Sequence, residues 1–131
     1  MVGMAPGVDE VRMYIGKNDA DILNTIASEN RSKQIGISWM WIPGDPTIAD
    51  PIFEEFAAQG QSDFAASGDD GAYSPNRPGY YPAESAWVTA VGGTHLVTSG
   101  AAGADASETA WQQSGGGPSP DLIPLPVGRL A

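Results

Sequence analysis

Two adjacent aspartates stand in Ser67-Gly68-Asp69-Asp70-Gly71, directly after the short run Phe64-Ala65-Ala66. In parallel α/β sheets, loops beyond the carboxyl ends of strands carry binding and catalytic groups. A carboxyl in such a loop can act as a general acid, as a general base, or as a hydrogen-bond donor to developing negative charge. Gly-Asp-Asp-Gly also suits a tight turn, and from this stretch alone the turn is the simpler account. His95 is the single histidine of the chain. Any Ser-His-Asp hydrolase built here would need it as base, although an exposed bystander explains it more simply. The carboxylates Asp19/Asp21, Glu54/Glu55 and Asp69/Asp70 would form a glycosidase pair only across different loops, because neighbours on one element diverge. With no cysteine and no HExxH or EF-hand spacing, the residues suggest no metal site.

These groups need elements to position them. Val11 to Ile15, after the Pro6-Gly7 turn, reads as a short strand. Asp19 stands where an N-cap belongs, ahead of a helix through Ser28 whose Ile22, Leu23 and Ile26 share an apolar face. Gln34 to Trp39 reads as a buried strand, ended by the loop Pro43-Gly44-Asp45-Pro46. A second helix is expected from about Pro51 to Gln59, with Ile52, Phe53 and Phe56 inward and Gly60 as its C-terminal glycine. Phe64 to Ser67 gives the next strand. After a proline-rich stretch from Pro75 to Pro82, Trp87 to Val91 gives another. Strand and helix in alternation imply βαβ units: an α/β fold with a short parallel sheet and helices on both faces. From Ser99 the composition turns to Gly, Ala and Ser, and little ordered structure is expected in the tail from 120 to 131.

The region between Phe64 and Ser119 carries more than secondary structure. Phe64-Ala65-Ala66-Ser67-Gly68-Asp69-Asp70-Gly71-Ala72-Tyr73 is followed by Tyr81-Pro82-Ala83-Glu84-Ser85-Ala86-Trp87-Val88-Thr89-Ala90-Val91-Gly92-Gly93-Thr94. Glu108-Thr109-Ala110-Trp111 and Ser114-Gly115-Gly116-Gly117 come next, and Ala5-Pro6-Gly7 and Ile37-Ser38-Trp39 precede them. In order and spacing these blocks resemble the sedolisins, serine-carboxyl peptidases of subtilisin-like fold. The resemblance runs from about Ala5 to Ser119, within a single domain. It implies that Asp69 stabilises the oxyanion, donating a hydrogen bond while protonated in acid. It also implies substrate contacts from Ser38, Trp39, Gly68, Gly115, Gly116 and Gly117.

The chain departs from the family pattern as well. The carboxylate pair of the family's Ser-Glu-Asp relay lies upstream of the Ala-Pro-Gly turn, and its serine lies in a Ser-Gly-Thr-Ser segment well after the glycines. Neither is found in these residues, nor is the family's calcium site, so no cofactor is expected. Met40 and Trp41 replace the glycine that usually follows Ser-Trp, which suggests a narrowed groove. Asp63 falls where the family strand is apolar. An unpaired buried carboxylate costs several kcal/mol, so an exposed edge or a distorted strand start is expected at Asp63.

The totals set limits. The chain has 131 residues and a net charge of −10, with only 6 Lys and Arg in scattered positions. Nucleic acid is not an expected partner, because phosphate recognition needs clustered basic residues. The acidic balance reads as a solubility device or as adaptation to acidic surroundings. No apolar run reaches the length of a membrane span, and the first residues do not read as a signal peptide. Secretion is implied by the resemblance alone, and the absence of cysteine leaves the redox compartment open. Trp39, Trp41, Tyr73, Tyr80, Tyr81, Trp87 and Trp111 read as core or groove wall. Uncovered sheet edges and apolar faces point to a homo-oligomer.

Three readings follow. The chain is part of an acid-acting peptidase acting on peptides or proteins, and inactive alone. Or it is an esterase or glycosidase using Asp69, Asp70 or His95. Or it is a noncatalytic module that binds a peptide or partner.

Overall fold

In the computed structural model, residues 3, 5–42, 44–74, 76, 80–121 and 123 are described. Pro43, parts of the proline-rich stretch and nearly all of the tail expected to be irregular lie outside them. The first helix, α1, spans Asp19–Glu29. Its cap is Asn18 rather than Asp19: the Asn18 side chain accepts hydrogen bonds from the Ala20 and Asp21 amides. Asp19 falls in the first turn instead, where its charge favours the positive helix end. Leu23, Ile26 and Ala27 are buried, the face that the apolar spacing marked out.

Strand β1 (Gln34–Ile37) is followed by helix α2 (Pro46–Ala58), whose N-cap is Asp45. The helix begins five residues before Pro51, where the sequence suggested a start. Asp45 Oδ1 accepts from the Thr47 amide at 3.0 Å, and Pro46 fits the first helical position because its missing N–H has no intrahelical partner there. Pro51 sits inside the helix and removes only the amide that would have reached Thr47. At the other end, Gly60 adopts φ +71 and the Gln61 amide reaches back to the Phe56 carbonyl at 2.8 Å. That is the expected glycine stop.

Strand β2 (Ser62–Ala66) lies between β1 and β3 (Thr89–Val91), parallel to both. The register pairs Ile35 with Asp63 and Ile37 with Ala65 on one side, and Phe64 with Thr89 and Ala66 with Val91 on the other. Trp87 and Val88 stand in a turn ahead of β3 rather than in the strand. Val11 to Ile15 forms no strand at all. Met13 and Ile15 are 82% and 86% exposed, while Tyr14 donates to Glu29 at 2.7 Å and Arg12 pairs with Glu10 at 2.7 Å. Its β-branched residues have no neighbouring strand to pair with, and pairing decides a strand.

Both helices join one core with the sheet, comprising among others Leu23, Ile26, Ile35, Ile52, Phe53, Phe56, Ala65, Tyr81 and Val88. The fold is the expected mixed α/β fold with a short parallel sheet. The helices, however, cover one sheet face rather than two. Asp63, Ala65 and Ser67 point into the core, whereas Phe64, Ala66 and Val91 are exposed on the opposite face. Asp63 is thus neither at an exposed edge nor at a distorted start. It is 5% exposed within the central strand, because the period-two alternation that buries Ala65 buries Asp63 as well.

Trp41 belongs to the core. Its ring stacks on Phe53 with centroids 6.4 Å apart and tilts against Tyr81 at 5.9 Å. Its amide donates to the Tyr81 carbonyl at 2.9 Å. The substrate-groove position expected for Trp41 is therefore taken up by aromatic packing, while Trp39 remains 78% exposed.

A second sheet pairs β4 (Thr94–Thr98) with β5 (Asp105–Ala110), antiparallel, with His95 opposite Thr109 and Leu96 opposite Glu108. The hairpin extends into the stretch whose composition turns to Gly, Ala and Ser. The turn is closed by the Ser99 amide on the Ala104 carbonyl at 3.0 Å, with Gly100 at φ +124. Thr94 Oγ1 donates to Glu108 across the strands at 2.6 Å. Small residues such as Ala106 and Ser107 lack intrinsic strand preference, and here the backbone ladder supplies it.

Candidate active site

The loop Ser67–Gly71 leaves the carboxyl end of the central strand β2, where parallel sheets place their functional groups. Its backbone is strongly constrained. Gly68 adopts φ +101, and a Cβ there would lie 2.7 Å from the Tyr80 ring. Tyr80 and Tyr73 stack with centroids 5.4 Å apart. Tyr73 Oη donates to the Ser67 carbonyl at 2.8 Å, and Tyr80 Oη donates to Asp70 Oδ2. The two tyrosines thus grip the loop on both sides of Asp69.

The glycine segment closes the loop from the other direction. The Gly115 amide donates to the Gly68 carbonyl at 2.8 Å, and Ser67 Oγ donates to the Gly115 carbonyl at 2.9 Å. The Gly71 amide reaches the Gln113 carbonyl at 2.9 Å, and the Tyr73 amide reaches Gly116 at 2.8 Å. Gly93 ties the hairpin in, its amide donating to Ser114 Oγ at 2.9 Å and its carbonyl accepting from Trp111 at 3.1 Å.

These contacts leave an open cleft of about 710 Å³ lined by Asp69, Asp70, Gly71, His95, Thr109 and Trp111 together with Ala110, Gln112 and Gln113. Asp69 and Asp70 are both exposed, and only Asp70 is bonded to Tyr80. Gly68 and Gly115 are brought together below the cleft, where their facing backbone groups bond to each other. Ser38 and Trp39 follow β1, the parallel neighbour of β2, and leave the sheet at the same end as Asp69. Both are exposed, and neither lines the cleft.

His95 is the residue whose place the sequence did not reveal. Lying more than twenty residues from Asp69, it reaches the same cleft through the β4–β5 hairpin. The signal available beforehand was the β-branched run around it, which marks a strand but not its destination. Among the described residues, no three His, Asp or Glu side chains come together to hold a metal ion.

A parallel sheet with helices packed against it, and a carboxylate loop at the carboxyl end of its central strand, defines an α/β fold whose candidate site lies where parallel sheets place theirs. No family model matches the chain. Three curated proteins narrow the class. Sedolisin from Pseudomonas sp. (strain 101) is 35% identical over 136 residues, covering 86% of this chain and 23% of that protein. Kumamolisin from Bacillus sp. (strain MN-32) is 34% identical, covering 94% of this chain and 25% of that protein. Xanthomonalisin from Xanthomonas sp. (strain T-22) is 31% identical, covering 86% and 18%. The chain is therefore sedolisin-like over most of its length, and it spans a quarter or less of the relatives it matches.

Proposed function

We propose that the chain supplies the oxyanion-stabilising carboxyl and one wall of the substrate cleft in an acid-acting, secreted serine-carboxyl endopeptidase. The observation that carries this reading is the position of Asp69. It lies at the carboxyl end of the central strand, exposed to a cleft, on a loop held from two sides. A protonated carboxyl there donates to the oxygen of a peptide carbonyl as negative charge develops, whereas an ionised one repels it. The attacking hydroxyl and its carboxylate partners are assigned to no residue of these 131, which contain no Ser-Gly-Thr-Ser sequence. Alone, the chain is expected to be inactive.

The test is peptide cleavage from about pH 3 to about 8 by the product of the complete reading frame. Asp69→Ala is expected to lower kcat by about 10²–10³-fold with KM little changed, the usual effect of losing one oxyanion donor. Cleavage unaffected by Asp69→Ala would remove Asp69 from the chemistry. A second reading is favoured by His95 in the same cleft: an esterase or glycosidase using His95 with Asp69 or Asp70. Ester cleavage lost on His95→Ala alone would select it. Saturable peptide binding with no cleavage would select a binding module.

The uncovered face bearing Phe64 and Val91 fits self-association of copies. Sedimentation is expected to show a dimer or larger at acidic pH, where carboxylate repulsion falls. A monomer under those conditions would exclude it.

A further inference from the structure

Asp63 lies away from the cleft. In β2 it pairs in register with Ile35 of β1, and the next residue, Phe64, pairs with Thr89 at the start of β3. Over its face lie α2, with Ala49, Ile52, Phe53 and Phe56 buried, and behind it the buried Leu23, Ile26 and Ala27 of α1. Neither Asp63 carboxylate oxygen has a well-formed hydrogen bond, the neighbouring Phe64 amide exerting only a weak pull on it.

No charged group on the packed elements compensates it. On α2, Asp50 accepts from Tyr81 Oη at 2.8 Å and Ser85 Oγ at 2.7 Å, while Glu54 and Glu55 are exposed. On α1, Asp19 stands at the half-buried first turn, and Asp21 and Glu29 are exposed. Strand β1 carries no ionisable side chain, and Lys33 before it donates to Asn30 and the Gln59 carbonyl. Just before β2, the buried Gln61 turns its Nε2 to the Ser32 carbonyl at 2.8 Å.

We propose that Asp63 is a proton-holding acid at the centre of the sheet, so that the fold is tightest while its carboxyl is neutral and loosens as the medium approaches neutrality. An ionised, unpaired carboxylate among apolar side chains has lost its water and gained little in return. Burial pushes the Asp63 carboxyl up to about 7, against a weaker downward pull from the Phe64 amide. The unfolded chain releases this proton near the ordinary value of 3.8. Below that value both states hold the proton, and the full contribution to stability is present. Between there and about 7, unfolding releases a proton, so stability falls as pH rises. Above that range both states are ionised and the loss is complete. The separation corresponds to about a thousand-fold in the folded-to-unfolded ratio. None of this depends on Asp69 stabilising an oxyanion.

The experiment is urea unfolding of the full chain and of Asp63→Asn, followed by far-ultraviolet circular dichroism from about pH 4 to about 8. The ratio of folded to unfolded wild type, relative to the variant, is expected to fall about a thousand-fold across that range and to level off above neutrality. A relative ratio that stays constant would overturn the proposal. Should the variant not fold, carbon-13 titration of the Asp63 carboxyl in the unsubstituted chain decides: a midpoint near 7 is expected, and one near 4 overturns it.

Discussion

Gly115→Ala is expected to destabilise the chain by about 3 kcal/mol, the upper range for forced overpacking, and to release the Asp69 loop first. A Cβ on Gly115 would stand 2.6 Å from the Ser67 carbonyl carbon, closer still to its oxygen, and 3.1 Å from the Gly68 oxygen. These are backbone atoms at the end of the central strand, so no side-chain rotation relieves the contact. The glycine segment must move away, and the bonds from Gly115 to Gly68, Ser67 to Gly115 and Tyr73 to Gly116 are lost with it. Hydrogen exchange reads this directly. The Gly71 and Tyr73 amides should lose protection while the β1–β2 ladder keeps its own. Gly36→Ala is the matched control, because a Cβ there meets nothing within 4 Å, and a change within about 0.5 kcal/mol is expected. Equal effects at both positions would mean that the glycine segment does not hold the loop.

Phe53→Ala carries the other large effect. Phe53 is 1% exposed and is the hub of the aromatic group, with Trp41, Phe56 and Tyr81 centroids at 6.4, 6.0 and 6.3 Å. Truncation removes a buried ring and leaves a cavity between α2 and the segment that carries Tyr81. Such changes cost about 3–5 kcal/mol, a large share of the stability of a domain this size. A lower urea midpoint with an unchanged slope is the expected result, and Phe53→Leu should recover most of the loss. A loss below about 1 kcal/mol would show that the cavity collapses and that the cluster is not the keystone of the core.

The two substitutions act at opposite ends of one arrangement. The aromatic group fixes α2 against the sheet and holds Tyr81, whose hydroxyl is bonded to Asp50. The glycine segment fixes what emerges from the carboxyl end of that sheet. Asp69 stays at its post only if both hold. The hydroxyl of Tyr81 is pushed well above its ordinary range by burial and by Asp50, which favours its neutral, donating form.

Local patterns were legible in the residues themselves. The apolar spacing of Leu23 and Ile26, the glycine stop at Gly60, the parallel α/β class and the sedolisin-like blocks around Asp69 and Trp87 could all be read without coordinates. Each is set by near neighbours: helical periodicity, one glycine's φ, or an ordered string of motifs. The start of α2 was misplaced because Pro51 looked like a helix start, whereas Asp45 and Pro46 supply a better one.

Only the tertiary structure decided what depends on partners far along the chain. Val11 to Ile15 has strand-forming residues but no strand to join, while Asp105–Ala110 has weak ones and pairs with β4. Trp41 could have lined a groove, but Phe53 and Tyr81 drew it into the core. Asp63 was expected outside on the reasoning that a lone carboxylate avoids apolar surroundings. The alternation of the central strand puts it inside, and a bound proton makes that tolerable. His95 reached the cleft of Asp69 through a hairpin whose pairing no composition discloses. Residue types and spacing determined which chemistry was available; long-range strand pairing and shared burial determined which of those groups meet.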